Sequence, residues 1–222
     1  GPGAARSSGF TNIETEFVAF LDSDCVPPPD WIESLAYHFT DPLVAAVAPR
    51  IIAAPSSKQT SRYSEACGPL DMGDKQAQVK PGGPVSYVPT AALVVRRAAL
   101  DTMPIPCSPF DPSLRVGEDV DLIWQLHKQG WRVRFDPTVQ VLHSEPNTWR
   151  EFFQRGYRYG TSAASLSKRH PEAIAPLTLH PWPLTIVTML LTRRPRLATA
   201  SFLYYLRTLH KQLEGTELDR AE

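Results

Sequence analysis

Two carboxylates one residue apart, Asp22 and Asp24, follow directly on the apolar run Phe17-Val18-Ala19-Phe20-Leu21. Side chains two apart along a strand face the same way, and two carboxylates held together repel unless a cation lies between them. A hard divalent ion, Mn²⁺ or Mg²⁺, bridging to a diphosphate suits such a pair. The plain alternative is an acidic turn, because Asp is a common turn residue. A second acidic group, Glu118, Asp119 and Asp121, is expected in the first turn of a helix, where the dipole alone favours acids. Glu118 and Asp121 share a face there, and Asp119 points off it. An Asp aimed into a cleft from a helix start serves as a general base when ionised. The dipole is expected to hold its pKa low, leaving it charged at neutral pH but weakly basic. His143 closes a later apolar run. Two carboxylates and a neutral imidazole suit Mn²⁺ better than Ca²⁺, although a histidine satisfied at a strand end is the simpler expectation. Arg6 near the start of a short helix offers an anion site, or an ordinary exposed cation.

The elements that must position these groups alternate. Phe17 to Leu21 predicts a buried strand. The prolines after Cys25 stop it and prepare a helix from Asp30 that carries Trp31, Leu35, His38 and Phe39. A strand follows over Leu43–Ile52. Residues 53–84 are polar and broken by Gly and Pro, with a helix expected around Ser61 to Ala66. Val85–Val88 and Ala91–Val95 read as strands, and Ala98–Met103 as a short helix. The strongest helical pattern is Val120, Ile123, Trp124, His127, ended by Gly130. Trp131–Phe135 and Val139–His143 read as two further strands. Thr148 and Glu151 form a capping box, opening a helix with Trp149, Phe152 and Phe153 on one face and running towards Gly160. Strands alternating with helices predict an α/β fold.

With 222 residues, 42% hydrophobic and 21% charged, the chain can bury a core as one large domain or two small ones. A formal net charge of zero argues against nucleic-acid binding through bulk charge. Three cysteines without a CxxC suggest neither a disulfide framework nor structural zinc, and fit a reducing compartment. The chain opens almost inside a motif without an initial Met, so it is expected to be an N-terminally truncated piece of a longer protein. Residues 1–175 read as one domain and 176–222 as a helical, amphipathic tail. The apolar stretch Leu184–Leu191 is short of the roughly 20 residues of a spanning helix. Leu203, Leu206, Leu209 and Leu213 beside Arg207 and Lys211 suit packing against the main domain or against absent sequence, with peripheral membrane contact as the alternative.

The ordered set resembles the family 2 glycosyltransferases of GT-A fold. It comprises Ala5-Arg6-Ser7 on a helix, the strand into Asp22-Ser23-Asp24, Gly117-Glu118-Asp119 on a helix, and a strand ending in His143. Ser7 stands where the family usually has Asn. The resemblance spans about residues 3–165. Three stretches make it closer to the branch of that family that acts in mycofactocin biosynthesis: Glu16 to Cys25, Val116 to Leu122, and Phe153 to Gly160. It implies inverting, metal-dependent transfer of a hexose from a UDP-sugar, UDP-glucose in that branch, to an acceptor hydroxyl in the cytoplasm. Asp119 would be the base, with Glu118 orienting sugar or acceptor. Asp22, Asp24 and His143 would hold Mn²⁺ or Mg²⁺. Arg6, Asp22, Ser23, Asp24 and Thr90 would line the nucleotide-sugar side, and Asp121, Tyr157 and Arg158 the acceptor side. Two alternatives stand beside it. Asp22-Ser23-Asp24-Cys25-Val26 also fits the DxDx[TV] pattern of haloacid-dehalogenase phosphatases, in which the first Asp is a nucleophile. A non-catalytic nucleotide-sugar-binding fragment is the other.

Overall fold

The computed structural model describes residues 2–104, 109–173 and 181–213. In chain order they form α1 (Pro2–Thr11), β1 (Phe17–Leu21), β2 (Cys25–Val26), α2 (Trp31–Leu35), continued by a 3₁₀ turn at Ala36–Thr40, and β3 (Val44–Ala53). Then come α3 (Gln59–Cys67), β4 (Ala77–Val79), β5 (Ala92–Arg96), α4 (Arg97–Leu100), α5 (Glu118–Lys128), β6 (Arg132–His143), α6 (Trp149–Gly160) and α7 (Ala163–Arg169). Helices α8 (Pro181–Leu191) and α9 (Pro195–Leu213) close the described chain. Two compact units are separated, Gly1–Ile174 and Ala175–Glu222.

The first unit is α/β, as expected. Its sheet runs β1-β5-β3-β6-β2, with β4 also on β6. Among the described residues only β3 and β6 pair in parallel; the other strand pairs are antiparallel. Val44 to Ala48 of β3 are at most 1% exposed, as a central strand covered on both faces requires. On one face Leu122, Ile123 and Leu126 of α5 pack with Phe10, Phe20, Val95 and Phe135. On the other, Trp31 and Leu35 of α2 pack with Val47, Val94 and Val141.

Several sequence expectations need correction. β1 is an edge strand with alternating burial, Val18 and Phe20 in and Leu21 43% exposed, rather than a fully buried one. α1 runs past Gly9 to Thr11. Val85–Val88 is not a strand. Val85 and Val88 are buried in the core, and the Trp124 indole donates to the Ser86 carbonyl (2.8 Å), so their apolar character serves packing on α5. The two strands expected between Trp131 and His143 are one strand with a register shift, because Pro49 pairs with Asp136 but Arg50 with Gln140. Asp136 fills that irregularity, fully buried, accepting bonds from Tyr37 (2.6 Å), Thr138 Oγ1 (2.7 Å) and Thr138 N (3.0 Å), with the His38 ring at 2.8 Å. Burial would raise its carboxyl, but these bonds hold it well below the usual range. The short helix expected over Ala98–Met103 is present as α4, Arg97–Leu100, while β4 and α7 carry too little periodicity to be read.

In the second unit, α8 and α9 expose Leu184, Val187, Leu203 and Leu206. Among the described residues no helix is long and apolar enough to cross a membrane. The side chains of Leu209 and Leu213 in the expected stripe, and Cys107, lie outside the described residues.

Candidate active site

The C-terminal ends of β1, β3 and β6 meet at one rim of the sheet. After Leu21 the chain leaves the strand in a turn, in which Asp22 N donates to the Ala91 carbonyl (2.9 Å) and Cys25 N to the Asp22 carbonyl (3.0 Å). Cys25 then pairs with His143, and Ser144 N donates to the Asp24 carbonyl (2.9 Å). The backbone thus brings two groups 119 positions apart to one place. The His143 Nε2 lies 3.5 Å from an Asp24 oxygen. Asp24 and Ser23 are exposed, while His143 is 6% exposed. Because a turn intervenes, strand alternation no longer governs the pair. Asp22 reaches Arg6 instead (2.5 Å). The expected three-ligand set is therefore not gathered, and among the described residues no three His, Cys, Asp or Glu side chains are clustered to hold a metal ion.

Behind His143 stands Glu145, a residue the sequence reading missed. His143 Nδ1 lies 3.0 Å from one Glu145 oxygen; the other accepts from Ser64 of α3 (3.0 Å) and from Arg155 of α6. Burial would raise the Glu145 carboxyl, but its bonds with His143 and Arg155 pull it down to about 2. The sequence signal was available: a carboxylate two residues after the candidate ligand, and an arginine inside the Phe153–Gly160 stretch.

Arg6 joins the two acidic centres. One guanidinium nitrogen holds Asp22 and the other holds Glu118 at 2.9 Å. It is a clamp in this structure, 14% exposed, rather than an open anion site. Gly117, left-handed at φ 83°, starts α5 against α7, where an added Cβ would meet Ser162 Cβ at 2.8 Å. This places Glu118 and Asp119 at the rim. The expectation of a low Asp119 pKa fails. Burial pushes the carboxyl up, the Glu118 charge adds to this, and the Val120 N–H (2.8 Å) and Arg6 only partly oppose it, leaving it at about 6. Desolvation outweighs the dipole here. Burial also raises the Tyr159 phenol, with the charges of Asp119 and Glu145 pushing the same way against Arg155 and Arg158. Tyr87 is raised by burial and by Asp119. Neither tyrosine was anticipated from sequence.

The remaining expected residues are less central. Thr90 is 1% exposed, one residue before the carbonyl that anchors Asp22. Asp121 is 6% exposed and paired with His170 at 2.7 Å, inside the protein rather than facing a cleft. Tyr157 and Arg158 are exposed on α6. Burial pushes the Cys25 thiol up to about 12, helped by Asp24 and Asp22, so it is no nucleophile at neutral pH. An open groove of about 370 Å³ between α1 and β1 is lined by Ala5, Arg6, Phe10, Val18, Asp22 and Ser23.

The model of the family described as glycosyl transferase family group 2 matches residues 17–209. A pre-mycofactocin glycosyltransferase of Mycobacterium tuberculosis is 44% identical over 180 residues, 81% of this chain and 37% of the relative. An O-antigen chain rhamnosyltransferase of Salmonella typhimurium is 25% identical over 153 residues, 67% of this chain and 47% of the relative. The chain thus spans well under two thirds of the length of the curated relatives it matches. Among solved structures, GalNAc-T7 with UDP, GalNAc and Mn²⁺ is similar at a TM-score of 0.46 and 16% identity, over 65% of this chain and 30% of that one.

Proposed function

The chain belongs to glycosyl transferase family group 2, and from that premise we propose that residues 1–175 form the catalytic part of an inverting, metal-dependent hexosyltransferase of GT-A type. The phosphatase alternative gives way to this membership. The observation that carries the reading is the junction at the sheet rim: Arg6 ties Asp22 to Glu118, Asp24 faces His143, and Asp119 lies beside Glu118. Asp119 takes the proton of an acceptor hydroxyl as its oxygen attacks the anomeric carbon. The bond from that carbon to the diphosphate breaks on the opposite face, and UDP leaves. A carboxyl near 6 is mostly ionised at neutral pH and is a stronger base than an ordinary Asp. Glu118, fixed by Arg6, orients the sugar or the acceptor. The donor chemistry at the tip fits a divalent ion: an exposed carboxylate and an imidazole nitrogen facing it suit Mn²⁺ or Mg²⁺, with Asp22 available to join if Arg6 turns to the diphosphate. Such an ion would neutralise charge on the leaving diphosphate. Ser23 and Thr90 belong to the donor side, and Tyr157 and Arg158 to the acceptor side. The 44% identity to the mycobacterial pre-mycofactocin glycosyltransferase supports a hydroxyl of the mycofactocin precursor as acceptor; UDP-glucose as donor and a cytoplasmic setting are what the family resemblance implies. The proposed tail over residues 176–222 includes the described helices α8 and α9.

The test is transfer from UDP-glucose to the mycofactocin precursor with Mn²⁺, read by product mass and anomeric configuration. A hexosylated product with inverted configuration is expected. Asp119→Asn should lower transfer by about 100-fold or more while leaving UDP binding intact; near-full transfer by that variant would reject the base assignment. A non-catalytic nucleotide-sugar-binding fragment would instead give Mn²⁺-dependent UDP binding and no transfer.

A further inference from the structure

Glu145 has no assigned role, yet it is 4% exposed, carries two strong partners besides His143, and sits directly behind the imidazole. A neutral imidazole bears one proton, and the nitrogen that keeps its lone pair is decided by what the other nitrogen bonds to. A carboxylate fixed on both oxygens, by Ser64 and Arg155 on one and His143 on the other, is an acceptor that cannot turn away. We propose that Glu145 is a positioning residue that holds the His143 proton on Nδ1, so that the Nε2 lone pair is presented to the Asp24 tip. Arg155 and Ser64 fix Glu145 in turn, linking α6 and α3 to the tip through one side chain. This rests on the reading of Asp24 and His143 as ligands of a divalent ion, but the tautomer itself is a property of the protein without any ion.

The experiment is nitrogen-15 NMR of the imidazole in the metal-free protein at about pH 8.5, above the ordinary imidazole range, with His143→Gln to assign the signal. The wild type should show the Nδ1–H tautomer. Glu145→Ala should move the population to Nε2–H and weaken Mn²⁺ binding in the presence of UDP by about 10- to 100-fold. An Nε2–H tautomer or an imidazolium in the wild type overturns the proposal, and that result needs no variant to fold. An unchanged tautomer in Glu145→Ala overturns it as well. If the tautomers behave as stated but His143→Gln binds Mn²⁺ and UDP like the wild type, the ligand reading fails and the positioning of the ring stands.

Discussion

Glu145 and Asp119 are both withdrawn from water at the same rim, and they titrate in opposite directions. Glu145 falls to about 2, because His143, Ser64 and Arg155 answer its burial with hydrogen bonds and a positive charge. Asp119 rises to about 6, because burial dominates, Glu118 adds a like charge, and Arg6, held on Asp22 and Glu118, opposes them only in part. Desolvation acts on both; partners decide the sign. A carboxylate with a fixed charge can hold other groups in place, whereas one that titrates near neutrality can move a proton.

Removing the partner on the first side should have the largest effect. Arg155→Met leaves Glu145 buried without its cation and should cost about 3 kcal/mol in urea unfolding at pH 7. Glu145 is depressed in the folded state, so its contribution is present above its ordinary value near 4.5 and lost as pH falls towards 2. The gap between variant and wild type should close over that interval, and a gap that persists in acid would mean the loss is packing alone. On the other side the sign reverses. Asp119 is raised, so it favours folding only while protonated, and that advantage is lost as pH rises from about 4 through 6. Asp119→Asn should therefore be more stable than the wild type above pH 6, by roughly 2–3 kcal/mol, while inactive. Equal stabilities at pH 8 would contradict the burial argument. Transfer by the wild type should fall about tenfold per pH unit on the acid side of 6, measured as kcat/KM; a limb near pH 4 would point to an Asp119 that is solvated. The smallest effect lies one step back. Thr148 caps the helix that carries Arg155, accepting from Glu151 N (3.3 Å), and Thr148→Ala should cost about 1 kcal/mol in the same unfolding experiment.

What could be read from the sequence divides along the same line. The strand that runs into Asp22, the helix that starts at Glu118 and the strand that ends at His143 were legible because their periodicity or flanking residues are strong. The capping box at Thr148 is present in both its bonds. What escaped depends on long-range placement. The turn after Leu21 diverts Asp22 to Arg6, and the low pKa expected for Asp119 counted a dipole but no desolvation. Glu145, Tyr87 and Tyr159 become interesting only when residues 64, 119, 143 and 155 are neighbours. Val85–Val88 misled because apolar residues between prolines read as a strand, whereas its residues pack against α5.

We propose a division of labour in which Asp24 and His143 hold the donor through a divalent ion and Asp119 acts on the acceptor. Calorimetry of UDP binding with and without Mn²⁺ addresses it directly. Asp24→Ala and His143→Ala should each lose the Mn²⁺-dependent part of the affinity, and Asp119→Asn should bind as the wild type does. Wild-type binding by Asp24→Ala, or loss of binding in Asp119→Asn, would contradict it.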